Sequence, residues 1–146
     1  MSGEPALGGS VLHHAEFRLS FGECDPAGIV YYATYLHWAE RIHTEWWFEH
    51  GFRVERLRAQ LGATFVTRHV ACDFHRSPVV MDRVRAGLSL RRLGTTSFTM
   101  GCRFTADDGG LLADQTLVLV FIDADRRPVD IPSAARQLLL AAGPEL

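Results

Sequence analysis

Residues 32–50 read YATYLHWAERIHTEWWFEH and carry the period of a helix. Apolar side chains recur every three or four positions, whereas Glu40, Arg41 and Glu45 occupy other faces. Gly51 follows at the position where a left-handed residue ends many helices. The pattern predicts one long amphipathic helix whose aromatic face is too apolar to stand in solvent, so a sheet is expected to cover it.

The segments around this helix have the patterns of strands. Residues 17–21 alternate apolar and polar side chains, and a turn-like stretch, 22–28, follows. Beyond a shorter helical segment at 54–61, four strand-like stretches occur, and the last is apolar on both faces, as an interior strand is. They are 64–76, 83–93, 97–105 and 111–122. With a C-terminal helix after Pro132, the order predicts an α+β domain in which an antiparallel sheet of about five strands packs on the helix.

Length and composition limit the function classes. The 146 residues fit one domain, and we expect a loose tail over 1–10 followed by a single domain over 11–146. The net charge of −2 removes the general attraction for nucleic acid, so no nucleic-acid partner is expected. All 15 basic residues are arginine, so no lysine can form a Schiff base with a carbonyl substrate or cofactor.

The cysteines and histidines predict neither disulfides nor a metal site. Cys24, Cys72 and Cys102 form no C-x-x-C pair, which favours reduced thiols. His69 and His75 are too far apart along one strand to share an ion, so no metal is expected. The sequence shows no leader pattern and no apolar run of the ~20 residues that span a bilayer, which predicts a cytoplasmic protein with no membrane partner.

The tetrapeptide Asp25-Pro26-Ala27-Gly28 places a carboxylate just ahead of the predicted helix, whose first N–H groups could polarise a carbonyl oxygen. A purely structural interpretation is also open, because Asp before Pro is a common helix cap and turn start. Ile29 and Val30 are β-branched and poorly suited to a first helical turn, which favours a loop position for Asp25. Gly28 would let the backbone approach a ligand closely.

Residues 21–47 closely resemble the N-terminal signature of the 4-hydroxybenzoyl-CoA thioesterase family, in which an Asp-x-x-Gly-x-Val-Tyr loop leads into an aromatic-rich helix. Weaker resemblance extends over nearly the whole domain. It implies a hotdog fold and a thioester hydrolase that acts on acyl-CoA and needs no cofactor, since CoA is part of the substrate. It also implies a homodimer with sheets paired edge to edge, often assembled into a homotetramer, and an acyl pocket between subunits.

The resemblance assigns roles to individual residues. Asp25 matches the family's catalytic aspartate, which acts as nucleophile or general base, and Gly28 belongs to the same motif. Tyr32 matches the position whose backbone N–H polarises the thioester carbonyl, although many relatives carry histidine there. Tyr31 and Tyr32 are expected to contact the substrate. Their aromatic surroundings favour an aromatic acyl group, but aromatic residues on a helix are more often core than pocket.

Arg91 and Arg92 are the expected partners of the CoA phosphates, although paired arginines at strand ends are usually just solvated. Two other functions remain open at this point. The chain could release an acyl group, polyketide or fatty, from a carrier protein, or it could bind acyl thioesters without hydrolysing them.

Overall fold

The predicted long helix is present as α1, Ala33–Glu49, in the computed structural model, which describes residues 11–143. Gly51 follows its C-terminus with a φ of 90°, the left-handed conformation expected there. Residues 1–10, where we predicted a loose tail, lie outside the described part of the chain.

Five strands form a single antiparallel sheet. They are β1 His13–Arg18, β2 Thr64–Phe74, β3 Arg83–Leu93, β4 Ser97–Thr105 and β5 Leu111–Ile122. Their order across the sheet is β1-β3-β4-β5-β2, so β5 is interior, as its apolar faces predicted. Sequence neighbours β3, β4 and β5 pair through short turns, whereas β2, within residues 11–143, pairs only with β5 and forms one edge. The predicted α+β class and the sheet of about five strands are confirmed.

Three strand boundaries differ from the prediction. β1 begins at His13, four residues before the predicted stretch. It ends at Arg18, because the N–H of Ser20 donates to Glu23 Oε1 and the chain enters a turn. Phe21 lies instead in a short 3₁₀ turn with 84% of its surface exposed. β2 ends at Phe74 rather than at residue 76, because His75 and Arg76 both donate to the same carbonyl of Leu112 and the ladder cannot continue.

The aromatic face of α1 packs on the sheet and forms the core. Trp38, Trp46 and Trp47 are each at most 2% exposed. The ring of Trp47 lies 5.5 Å from the ring of Phe65 and 5.9 Å from that of Phe98, on strands β2 and β4. Truncating such a side chain to alanine typically costs about 3–5 kcal/mol. These tryptophans therefore hold helix and sheet together.

Two shorter helices complete the fold. α2, Leu57–Leu61, follows a 3₁₀ turn and ends at Gly62, whose φ is 81°. α3, Ser133–Ala142, is held to the turn between β3 and β4 by Arg136, which donates to the carbonyls of Gly94 and Thr95 at 2.6 and 3.0 Å. Within residues 11–143, no helix is both long and apolar enough to cross a membrane.

Candidate active site

Asp25 lies on a tight loop between the 3₁₀ turn Phe21–Glu23 and α1. Its Oδ1 accepts a hydrogen bond from the N–H of Ala27 at 2.9 Å, and its carbonyl accepts one from Gly28 at 2.9 Å. Within the described residues, Oδ2 has no hydrogen-bond partner. The turn thus fixes one carboxylate oxygen and leaves the other available for a ligand or a water.

The backbone of Gly28 closes this turn from the left-handed region, with φ of 82°. An added Cβ would meet no atom within 4 Å, so glycine is required by the backbone angle and not by crowding. The next residues, Ile29 and Val30, are extended and bridge to Val79 and Cys24, and the Val30 N–H donates to the carbonyl of Pro78 at 3.1 Å. The expectation that Asp25 occupies a loop and does not cap the helix agrees with this arrangement.

Tyr32 is the residue at the start of α1, with helical backbone angles of −54° and −35°. Two nearby N–H groups have partners, since Tyr31 donates to the carbonyl of Glu23 and Thr34 donates to the carbonyl of Tyr31, both at 2.9 Å. Among residues 11–143, the N–H of Tyr32 has no acceptor. It is an unpaired donor at the positive end of a helix, which is the kind of group that polarises a carbonyl.

Aromatic side chains surround the mouth of the loop. Tyr31 and Tyr32 are 45% and 59% exposed, and their ring centroids are 4.8 Å apart. Phe74, at the end of β2, is 52% exposed and meets the ring of Tyr32 edge-on at 6.4 Å. The end of the edge strand therefore lies beside the start of α1, a proximity that no local sequence pattern could indicate.

Cys24 is a potential competing nucleophile next to Asp25. Loss of hydration, together with the carboxylates of Asp25 and Glu23, raises the pKa of the Cys24 thiol. Since the thiolate is the reactive form, a raised pKa disfavours this residue as the nucleophile. The carboxylate of Asp25 therefore stays the candidate reactive group of this loop.

Arg91 lies on the sheet with its guanidinium already satisfied. Its Nη2 lies 2.6 Å from Asp114 Oδ1, and its Nη1 donates to Thr116 Oγ1 at 2.7 Å. Arg92 is exposed and, within residues 11–143, pairs with no carboxylate. Neither arginine contacts Asp25 in the described structure, so their role towards CoA phosphates stays a prediction.

Sequence reasoning missed Glu23, which lies two residues before Asp25. Its carbonyl accepts the N–H of Tyr31 at 2.9 Å and the hydroxyl of Thr34 at 3.1 Å, so it ties the loop to the first turn of α1. A signal was present, because Ser20-x-x-Glu23 is the spacing of a capping box. The described residues contain no group of three or more His, Cys, Asp or Glu side chains that could hold a metal ion.

A family model described as the thioesterase superfamily matches residues 27–113, more than half of the chain. The chain belongs to the thioesterase superfamily. The hotdog fold and the prediction of a thioester hydrolase are thereby confirmed at the level of the family. Because the matched range begins after Asp25, the assignment does not depend on that residue.

Individual relatives agree with the family. The acyl-CoA thioester hydrolase YbgC of Escherichia coli O6:H1 is 26% identical over 106 residues, covering 73% of this chain and 78% of that protein. The structure of the gentisyl-coenzyme A thioesterase BH1999 is 28% identical with a TM-score of 0.74, covering 84% of this chain and 98% of the other. A thioesterase from Thermus thermophilus, solved with coenzyme A and Zn, is 25% identical with a TM-score of 0.76, covering 90% and 95%.

Proposed function

We propose that this chain hydrolyses an acyl-CoA thioester to the free acid and CoA, with Asp25 as the reactive carboxylate. Two of the relatives support CoA as the carrier, since one is named an acyl-CoA thioester hydrolase and another was solved with coenzyme A. A third is named for an aromatic acyl group, gentisyl, and it supports an aryl-CoA substrate. The exposed rings of Tyr31 and Tyr32 offer faces for such a group.

One observation carries the proposal. Asp25 Oδ2 and the N–H of Tyr32, neither of which has a partner among residues 11–143, lie at the two ends of one loop held by Gly28. The loop therefore offers a carboxylate to the carbonyl carbon of a thioester and a hydrogen-bond donor to its oxygen. Hydrolysis needs both groups, because negative charge develops on that oxygen as the carbon is attacked.

Two routes use the same groups. In the first, the Asp25 carboxylate attacks the carbonyl carbon, the C–S bond breaks and the CoA thiolate leaves, after which water cleaves the mixed anhydride. In the second, Asp25 takes a proton from water, the resulting hydroxide attacks the same carbon, and the C–S bond then breaks. In both, the N–H of Tyr32 stabilises the oxyanion. Asp25 ends each route with a proton from the water and passes it to the CoA thiolate, so that the carboxylate is restored and the products are the free acid and the CoA thiol. Neither route requires a cofactor.

The proposed enzyme is a homodimer joined along β2. This strand is one of the two edge strands of the described sheet, and its apolar residues Val66, Val70 and Phe74 are 42%, 36% and 52% exposed. An open edge presents unpaired backbone groups that a second copy of the same strand could satisfy. Because Phe74 contacts Tyr32, such pairing would bring a second subunit to the loop of Asp25 and form an acyl pocket between subunits. A homotetramer of two such dimers is part of the same proposal.

The CoA phosphates need cationic partners, and Arg92 is the better placed of the two predicted residues. It is exposed, whereas the charge of Arg91 is already compensated by Asp114 at 2.6 Å. A guanidinium that keeps its donors in solvent can exchange water for phosphate oxygens.

The decisive variant is Asp25→Asn. Its amide oxygen can still accept the N–H of Ala27, so the turn is retained while the charge and basicity are lost. Turnover of a panel of acyl- and aryl-CoA thioesters, followed by thiol release, should fall on the order of 10²–10⁴-fold, with the thermal midpoint unchanged. The matched control is Asp125→Asn, an exposed aspartate in the turn after β5, which should turn over like wild type. Near-normal turnover by Asp25→Asn would rule out the assigned role.

A further inference from the structure

Both carboxylate oxygens of Glu23 accept hydrogen bonds. Its Oε1 accepts from the N–H and from the hydroxyl of Ser20, both at 2.9 Å. Its Oε2 accepts from the indole N–H of Trp38 at 3.1 Å. Hydrogen bonds to an ionised carboxylate are stronger than neutral ones, so this side chain is a firm attachment point.

The partners of Glu23 belong to different elements. Ser20 follows β1, whereas Trp38 lies in α1, and the carbonyl of Glu23 reaches Tyr31 and Thr34 at the start of that helix. One residue therefore joins the end of a strand, the catalytic loop and the helix. Glu23 therefore attaches the loop that carries Asp25 both to the end of β1 and to α1.

The anchor on α1 is rigid. Trp38 is 1% exposed, and its ring stacks on that of Phe17 at 4.7 Å with an interplanar angle of 9°. Because the Trp38 indole is closely packed, it cannot shift, and its hydrogen bond therefore fixes Glu23 to the core of the protein. Groups held by such buried partners keep a catalytic geometry within narrow limits.

We propose that Glu23 is a positioning residue that sets the separation between the carboxylate of Asp25 and the backbone N–H of Tyr32. The inference rests on the proposed thioester hydrolysis and adds to it a residue that does not touch the substrate. Loss of the Glu23 side chain releases the loop from Ser20 and Trp38, whereas the backbone carbonyl of Glu23 still binds Tyr31 and Thr34, so the loop is loosened and not detached. The rate of hydrolysis should then fall because Asp25 and the N–H of Tyr32 are misplaced relative to each other, and substrate binding should be less affected.

The test compares three substitutions. Glu23→Ala removes every side-chain contact, Glu23→Gln keeps the shape and some acceptor capacity, and Trp38→Phe removes the indole donor while keeping a ring. In Glu23→Ala, kcat should fall on the order of 10²-fold, because a misplacement of about 1 Å has this effect. KM should stay within about two-fold, because the contacts of the substrate itself are retained. Glu23→Gln and Trp38→Phe should lie between Glu23→Ala and wild type.

The matched control is Glu55→Gln, an exposed glutamate paired with Arg53 at 2.9 Å, which should keep the wild-type kcat. A purely structural role would lower the thermal midpoint of Glu23→Ala and leave the kcat of the folded fraction unchanged, and that result overturns the inference. If Glu23→Ala does not fold, Glu23→Gln decides the question, because a normal kcat in that variant also overturns it. If wild-type protein releases no thiol from any substrate, the proposed function itself has failed, and the role of Glu23 falls with it.

Discussion

His43 should make the folded protein sensitive to acid. It lies on α1 with 5% of its surface exposed, and its ring centroid is 6.0 Å from that of Phe65. Among the described residues, its Nδ1 has no hydrogen-bond partner. Burial lowers the pKa of His43 from 6.5 to about 4, against a smaller opposing effect of the Glu40 carboxylate. The imidazole is therefore neutral in the folded protein at neutral pH.

The lowered pKa of His43 makes the folded protein less stable in acid. The unfolded chain binds a proton at His43 below about pH 6.5, and the folded protein binds it only near pH 4, so protons favour unfolding in this range. The stability that neutral His43 contributes is complete above pH 6.5 and is lost as the pH falls towards 4. At 1.36 kcal/mol for each pH unit, the difference amounts to about 3 kcal/mol, a large share of the ~5–15 kcal/mol typical of whole proteins.

The measurement is urea unfolding at several pH values across that range, with the free energy of unfolding obtained by linear extrapolation. Wild type should lose about 3 kcal/mol more than His43→Leu, in which the titrating group is replaced by an apolar side chain of similar volume. His37→Asn is the control, because it removes a histidine that is not buried from the same helix. If wild type and His43→Leu show the same dependence on pH, the assignment of acid sensitivity to His43 is wrong.

Two further predictions concern the catalytic loop and the sheet edge. Gly28→Ala should destabilise the protein by about 1–2 kcal/mol, the usual cost of a left-handed backbone for a residue with a Cβ, and should also lower kcat. Gly51→Ala is the control, because Gly51 lies at the other end of α1 with a φ of 90°. It should lose a similar amount of stability and keep the normal kcat. Equal kcat in both variants would show that the backbone of Gly28 does not matter for turnover. Val70→Asp should convert a dimer to monomers in analytical ultracentrifugation, because a charge blocks edge pairing, and Leu140→Asp, at an exposed site on α3, should not. An unchanged mass for Val70→Asp would place the subunit contact elsewhere.

Much of the fold could be predicted from local patterns. The period of apolar residues gave α1 within one residue of its observed bounds, and alternation between turns gave β3, β4 and β5 as they are. In the candidate site, the β-branched pair Ile29 and Val30 was enough to predict that Asp25 lies on a loop and not in the helix. Periodicity succeeds in these cases because it reports which face of a single element is buried, and that face repeats along the sequence.

Only the tertiary structure decided which elements meet. No local sequence pattern predicts that β2 lies at the edge beside β5, that Phe74 contacts Tyr32 or that Asp114 compensates the charge of Arg91. Each of these contacts joins distant parts of the chain. The predicted end of β1 was wrong because the N–H of Ser20 bonds to Glu23 and not to a neighbouring strand, which alternation of side chains does not report. The sequence by itself determined the helix, most strands and the loop of Asp25. The pairing of strands, and the contacts of Glu23 that fix that loop to the core, depend on long-range packing, which local periodicity does not encode.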